Sequence, residues 1–174
     1  MININLIRKN FYKRLFPPKF ENERVQALYN FVSKNDNNFE HWELDGLLTN
    51  FINIIKIYDE KDTQHFFDTI NLWNSYYLVI ISDKFLDNRV KSNVTYDFGN
   101  IYAKIFLLYE NFDSYFLIDS LEIAITMYNS KLDMITLIDL IGKINLLHHK
   151  KLITKQQYNY NIEFINRLKD EISS

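Results

Sequence analysis

Glycine and proline are scarce in this chain, and their scarcity limits what it can fold into. Three glycines and two prolines occur in 174 residues. A sheet of many strands needs these residues at its turns, because they supply the backbone angles that tight turns require. Apolar residues instead recur at spacings of three and four, which is the period of an amphipathic helix. The sequence therefore predicts an all-α protein.

Seven or eight helices joined by short loops account for the apolar pattern, and they would pair as antiparallel hairpins. They are predicted near residues 3–15, 21–33, 39–58, 62–86, 96–109, 113–129, 134–148 and 154–172. Asp62 is predicted to cap the fourth helix, because its carboxylate can accept an orphan backbone N–H. Capping boxes are predicted at Ser130–Asp133 and Thr154–Gln157. Residues 87–95 are polar and are predicted to be the longest inner loop.

Part of the chain resembles another part after a shift of 51 residues. Phe51–Tyr77 then aligns with Tyr102–Tyr128, so that Asp62 meets Asp113 and Tyr58 meets Tyr109. Each copy predicts a helix, an acidic turn, a capping aspartate and a second helix. Two such hairpins could stack and bury their apolar stripes, in the manner of a short HEAT-type repeat. Chance matching of helical periodicity is the alternative.

The length and composition narrow the class of protein. A chain of 174 residues that is 47% hydrophobic is expected to form a single domain over residues 1–174. It lacks cysteine, which excludes disulfides and thiolate metal sites. No apolar run approaches the roughly 20 residues of a membrane span, and no secretory signal begins the chain. We therefore expect a cytoplasmic protein with no membrane partner.

Motifs of known catalytic chemistry are missing from the sequence. It has no His-Glu-x-x-His motif, no paired Glu-x-x-His units and no glycine-rich phosphate loop. We therefore expect no enzyme, no catalytic residue, no cofactor and no metal. One metal-like spacing exists, with His41 and Asp45 four residues apart on a predicted helix near Glu40 and Glu43. The alternative is a solvated first turn whose acids complement the helix dipole.

The formal net charge of −2 argues against a generally basic nucleic-acid binder, so no nucleic-acid partner is expected. The basic run His148-His149-Lys150-Lys151 lies at the end of a predicted helix. Cations complement the helix dipole at that position. A phosphate or nucleic-acid contact is the alternative for this run.

Charge is distributed unevenly, and this is the most useful indication of function. Residues 59–139 carry a net charge of −7, whereas residues 1–58 carry +2 and residues 140–174 carry +3. An acidic edge would attract and orient a basic partner. One face of the predicted helix 62–86 also mixes acids with large apolar groups, as an interface does. The predicted partner-binding residues are Asp59, Glu60, Asp62, Asp68, Tyr76, Asp83, Glu110 and Asp113. The alternative is a solvated face with helix caps.

A small, cysteine-free, all-helical chain with an acidic centre and no catalytic set resembles the immunity proteins of bacterial contact-dependent or polymorphic toxin systems. The resemblance rests on general character and on no diagnostic motif, so no family site residue is carried over. It implies that one cognate toxin domain, often a basic nuclease, is bound tightly and that its active site is blocked. The alternative function is a helical-repeat adaptor or scaffold that binds host proteins without inhibiting them.

Overall fold

The computed structural model describes residues 13, 15–37, 42–43, 46–109 and 113–173. Across these residues loops join the α-helices and the short 3₁₀ turns, and no strand occurs, which confirms the all-α prediction. No helix in these ranges has both the length and the apolar character needed to cross a membrane. The chain divides into two compact units, Met1–Tyr96 and Asp97–Ser174. The single domain expected over residues 1–174 stays a prediction.

The first unit is arranged around one helix that contacts three others. Its helices are α1 (Glu23–Asn35), α2 (Leu47–Ile55), α3 (Glu60–Thr69), α4 (Ser75–Phe85) and α5 (Asn88–Lys91). Asn22 caps α1, because its side chain accepts from the backbone N–H groups of Arg24 and Val25. The apolar face of α1 is fully buried against α2, α3 and α4.

Aromatic rings fill the core of the first unit. The centroid of the Trp73 ring lies 5.0 Å from the ring centroids of both Tyr29 and Phe66, in edge-on arrangements. Phe20 adds a third ring at 5.5 Å from Trp73. Edge-to-face pairs of this kind stabilise a core beyond the area they bury. Trp73 therefore fixes the segment between α3 and α4 against α1.

The predicted helix 39–58 begins only at Leu47. Gly46 precedes it with φ 68°, a left-handed conformation that glycine adopts without steric cost. Trp42 and Glu43 form a turn and not a helix. Glu40, His41 and Asp45 are outside the described residues, so the expectation that His41 and Asp45 lie one helical turn apart stays a prediction. The predicted first helix, 3–15, also lies outside them apart from Lys13 and Leu15.

The predicted helix 62–86 is wrong, because two helices stand in its place. A 3₁₀ turn, Ile70–Leu72, follows α3, and Trp73 is extended with ψ 155°. Asn74 then caps α4 by accepting from the Tyr76 backbone N–H at 3.0 Å. Asp68 is therefore on α3 whereas Tyr76 and Asp83 are on α4, so they do not share the mixed face that was predicted for one helix over residues 62–86. The predicted loop 87–95 is also interrupted, since α5 forms there with Asp87 as its cap.

The described residues of the second unit, 97–109 and 113–173, form five helices. They are α6 (Phe98–Leu108), α7 (Asp113–Asp119), α8 (Leu121–Met127), α9 (Met134–His149) and α10 (Lys155–Ser173). α9 and α10 pair as a hairpin, and α6 packs along α8 and also contacts α9. The predicted helix 113–129 is divided between α7 and α8, because Ser120 leaves helical geometry with φ −108° and ψ 5°.

The two predicted capping boxes have different outcomes. The box at Thr154–Gln157 is confirmed, with Gln157 N donating to Thr154 Oγ1 at 3.1 Å and Thr154 N donating to Gln157 Oε1 at 2.8 Å. The box at Ser130–Asp133 is wrong. Asp133 itself caps α9 by accepting from Thr136 N at 2.7 Å. Ser130 instead donates its hydroxyl hydrogen bond to Asp97, the cap of α6.

The shifted copies of the sequence fall in different units. The first helices begin at Leu47 and Phe98, which are 51 residues apart, in agreement with the shift. The copies then diverge, because α3 continues into a 3₁₀ turn where the second copy forms α8. The HEAT-like stacking of the two copies stays a prediction.

Gly99 allows α6 to pack closely on the end of α8. A Cβ atom at this position would lie 1.9 Å from Ser130 Oγ and 2.9 Å from the carbonyl oxygen of Ala124. Both distances are shorter than a van der Waals contact, and Ser130 is held in place by its hydrogen bond to Asp97. Gly142, in the middle of α9, is exposed and has open space around it.

We expect Gly99→Ala to destabilise the protein by about 1–3 kcal/mol, because the added methyl group overpacks the contact between α6 and α8. Gly142→Ala is the matched control and should stabilise it by up to about 1 kcal/mol, because alanine favours the helix. Urea unfolding of both variants measures the two effects. Equal stability of the two variants would contradict this packing.

Candidate protein-binding surface

Three polar side chains follow one another along the exposed side of α3. Glu60, Gln64 and Asp68 are spaced by four residues and so share a face of the helix. Gln64 Nε2 donates to Asp68 Oδ1 at 2.9 Å. Asp59, which precedes α3, has a side chain that is 60% exposed. We call Asp59, Glu60, Gln64 and Asp68 the acidic face of α3.

The acidic face borders a shallow surface depression. Glu60, Gln64 and Asp68 line it together with Lys61 and His65. The charged residues that line the depression are the acids Glu60 and Asp68 and one lysine, Lys61, so its formal net charge is negative. Asp59 lies beside it and is 3.5 Å from the Arg24 guanidinium. An open depression of this kind suits contact with a protein surface more than enclosure of a small molecule.

Asp62 differs from its acidic neighbours because it is buried. Its side chain is 7% exposed. One carboxylate oxygen accepts from Asn22 Nδ2 at 2.7 Å. The other accepts from Arg24 Nη1 at 2.6 Å and from the Asp59 backbone N–H at 2.9 Å. Asp62 therefore joins the start of α3 to the start of α1, and its oxygens are used within the protein.

The expected cap of α3 is displaced by three residues. Asp59 and not Asp62 is the N-cap, with Asp59 Oδ1 accepting from the Asp62 backbone N–H at 3.0 Å. Because the Asp62 carboxylate in turn accepts a hydrogen bond from the Asp59 backbone N–H, the two residues form a reciprocal capping box. The box orients the first turn of α3 so that Asp59 and Glu60 are exposed while Asp62 turns inward.

The surroundings of Asp62 favour its charged form. Burial alone would raise the pKa of this carboxyl group, but the hydrogen bonds from Asn22, Asp59 and Arg24 and the Arg24 charge outweigh it, so its pKa is lowered. Two phenols lie near this carboxylate, of which Tyr58 is buried and Tyr96 is half-buried. Burial raises the pKa of Tyr96 to about 12, and it raises that of Tyr58 as well.

Tyr76 and Asp83 lie on α4 and not on the acidic face. The Tyr76 hydroxyl is 3.4 Å from the carbonyl oxygen of Asp36, at the C-terminal end of α1. Asp59 and Asp62 meet α1 at its N-terminal end through Arg24. Twelve residues of helix separate Arg24 from Asp36, which corresponds to about 18 Å. Asp83 is exposed and pairs with Lys84 at 2.9 Å.

The second predicted acidic turn belongs to the other unit. Glu110 is outside the described residues, and so is the side chain of Asp113, the first residue of α7. Among the side chains that the structure describes, no three of His, Asp or Glu come together as a metal site would require. Glu43, from the predicted metal-like group, instead pairs with Arg89 at 2.8 Å.

Three residues that contact the acids at the start of α3 or on its acidic face, Asn22, Arg24 and Gln64, were not among the predicted site residues. Asn22 carried a detectable signal, because asparagine directly before Glu23 and an apolar helical pattern is a usual N-cap. Arg24 carried none, since it meets Asp62 across 38 residues of chain. Gln64 could have been found from its spacing of four residues to both Glu60 and Asp68.

Comparison with known proteins gives no relative for this chain. No protein-family model, no curated protein and no solved structure matches it.

We expect Asp62→Asn to destabilise the protein by about 2 kcal/mol, because it removes the charge that three donors bind in a buried position. Asp68→Asn changes an exposed carboxylate on the same helix and should alter the free energy of unfolding by less than about 0.5 kcal/mol. Chemical denaturation at pH 7 measures both. Similar losses in the two variants would show that Asp62 has no special structural part.

The stability difference between wild type and Asp62→Asn should also depend on pH. The pKa of Asp62 is lower in the folded state than the value of about 3.9 in an unfolded chain. Its contribution is therefore complete above the unfolded pKa and is lost as the pH falls through the folded pKa. We expect a constant difference from pH 7 to about 5 that shrinks below about pH 4. A difference that grows on acidification would contradict this.

Proposed function

We propose that this protein is an immunity protein that binds one cognate toxin domain of a basic, nuclease type and blocks its active site. The observation that supports it best is the acidic face of α3, whose carboxylates are exposed while hydrogen bonds to the buried Asp62 carboxylate fix the helix that bears them. The proposed action is by binding alone, without catalysis or a cofactor, in the cytoplasm of the cell that makes it.

Charge complementarity is the physical basis of the proposal. A nuclease binds the phosphates of its substrate with a cationic groove, because phosphate contacts dominate nucleic-acid affinity. Carboxylates placed in that groove would replace the phosphates and exclude the substrate. An acidic surface also accelerates association with a basic partner, which favours an inhibitor that must act quickly.

The proposal assigns different parts to the predicted residues. Asp59, Glu60 and Asp68 would contact the partner. Asp62 would act indirectly, by holding α3. A stable interface buries about 800 Å² on each protein, so contacts beyond α3 are required. Tyr76 and Asp83 on α4 remain proposed contributors to that larger area. Glu110 and Asp113, in the second unit, stay predicted partner-binding residues.

A second candidate function is a helical adaptor that holds host proteins without inhibiting them. The observation that favours it is an exposed apolar surface on α9, where Ile135 is 72% exposed and Ile138 is 53% exposed. The two residues are three apart and share a face. An adaptor would use such a surface in addition to α3, or in its place.

Affinity capture of the tagged protein from lysate of its native cell, washed in 1 M salt, tests the proposal. We expect one stoichiometric partner that carries a basic nuclease domain, and we expect the purified protein to inhibit that nuclease. Glu60→Lys/Asp68→Lys should weaken the interaction about a hundredfold, because two like-charge contacts cost about 3 kcal/mol in total.

The matched control is Glu163→Lys/Asp170→Lys, which makes the same change in net charge at two exposed acids of α10. This control should bind and inhibit like the wild type. Equal loss in both double variants would mean that net charge alone matters and would contradict the assignment to α3. A retained partner whose activity is unaffected would favour the adaptor, and no retained partner would contradict tight binding.

A further inference from the structure

The turn between α9 and α10 is strongly basic. Residues 140–162 contain four lysines, two histidines and no acid. Lys150, Lys151 and Lys155 are all exposed, as is His149. The Cα atoms of Lys151 and Lys155 can be no more than about 14 Å apart, since the two residues are four positions apart in the chain. One carboxylate, that of Asp119, reaches the first turn of α10, where Gln157 Nε2 donates to it at 2.8 Å.

The backbone of this turn is closed by its own hydrogen bonds. The N–H groups of Lys150 and Lys151 donate to Leu146 and His148 at 2.9 and 3.0 Å, and Leu152 N donates to Leu147 O at 2.9 Å. These bonds satisfy carbonyl groups at the end of α9, which would otherwise lack a partner. The backbone N–H groups of the turn therefore satisfy these carbonyl groups.

Lys151 occupies a position that ordinarily belongs to glycine. Its φ is 56°, in the left-handed region that follows many helices. A side chain with a Cβ atom is unfavourable there, whereas glycine is not. The other non-glycine residue of this kind among those described is an asparagine, Asn129, which tolerates the conformation. A lysine at residue 151 therefore costs stability, which points to a use for its charge.

An aromatic pair stands beside the lysines. The rings of His148 and Tyr158 stack with their centroids 4.3 Å apart and an angle of 23°. Stacking surfaces beside cations are typical of proteins that bind nucleic-acid strands. The two apolar side chains of the turn also favour a nucleic acid as the ligand, because neither is fully exposed: Ile153 is buried and Leu152 is half-buried. A membrane-binding turn would expose apolar anchors instead.

We infer that the α9–α10 turn binds the phosphate backbone of a nucleic acid, without sequence specificity, through Lys150, Lys151 and Lys155. The formal net charge of −2 does not oppose this, because the acids that produce it lie outside residues 140–162, which carry four lysines and no acid. The inference concerns residues of the second unit that the proposed inhibition does not use. It can fail while the proposed function holds, and the reverse is also true.

Fluorescence anisotropy with a labelled 20-residue oligothymidine, at 20 to 200 mM salt, tests the inference on the full chain. Three phosphate contacts to a single strand predict that the logarithm of the binding constant falls with the logarithm of salt with a slope of about −2. Lys150→Gln/Lys151→Gln/Lys155→Gln should bind at least about tenfold more weakly at 20 mM salt, with a slope near zero. A labelled duplex should also bind, since it offers the same phosphates.

The matched control is Lys19→Gln/Lys34→Gln/Lys56→Gln, which removes three exposed lysines of the first unit. It should bind the oligonucleotide within about twofold of the wild type. The inference is overturned if the wild type does not bind at 20 mM salt, or if both triple variants lose affinity equally. Binding to vesicles of anionic lipid without binding to either nucleic acid would overturn it in favour of a membrane surface.

A single substitution separates charge from fold. Lys151→Gly relieves the left-handed strain, so it should raise the melting temperature by about 2 °C while it weakens oligonucleotide binding and makes the salt slope shallower by about 0.7. If the variant is more stable and binds as tightly as the wild type, Lys151 does not contribute to nucleic-acid binding.

Discussion

The Asp62 carboxylate is the interaction on which the arrangement of the first unit depends. A buried charge is costly unless it is paired and fully hydrogen-bonded. Asn22, Arg24 and the Asp59 backbone supply the three donors, and they come from the cap of α1, its first turn and the cap of α3. One side chain thus fixes two helix starts against each other and determines which acids of α3 face outward.

Periodicity predicted the helical class but not the places where helices end. Phe66, Ile70, Trp73 and Tyr77 follow a helical spacing, yet they belong to α3, a 3₁₀ turn, an extended residue and α4. All four are buried, so the apolar pattern indicates which residues are buried and not whether one helix runs through them. The interruptions at Gly46, Asn74 and Ser120 come from local backbone geometry and capping, which an apolar pattern does not contain.

The exposed acids of α3 could be predicted from the sequence, because charged side chains usually lie in solvent. The burial of Asp62 and its hydrogen bonds to the start of α1 could not be predicted. Its sequence surroundings are as acidic as those of Glu60, and its cation lies 38 residues away. Lys151 illustrates the same limit, since a lysine run at a helix end gives no sign that one member adopts a left-handed conformation.

Hydrogen–deuterium exchange of the protein with and without its captured partner tests most directly whether α3 is the binding surface. The account predicts slower exchange across Glu60–Thr69 in the complex, with Met134–His149 changed little. Slower exchange confined to Met134–His149, where Ile135 and Ile138 are exposed, would contradict it and favour the adaptor.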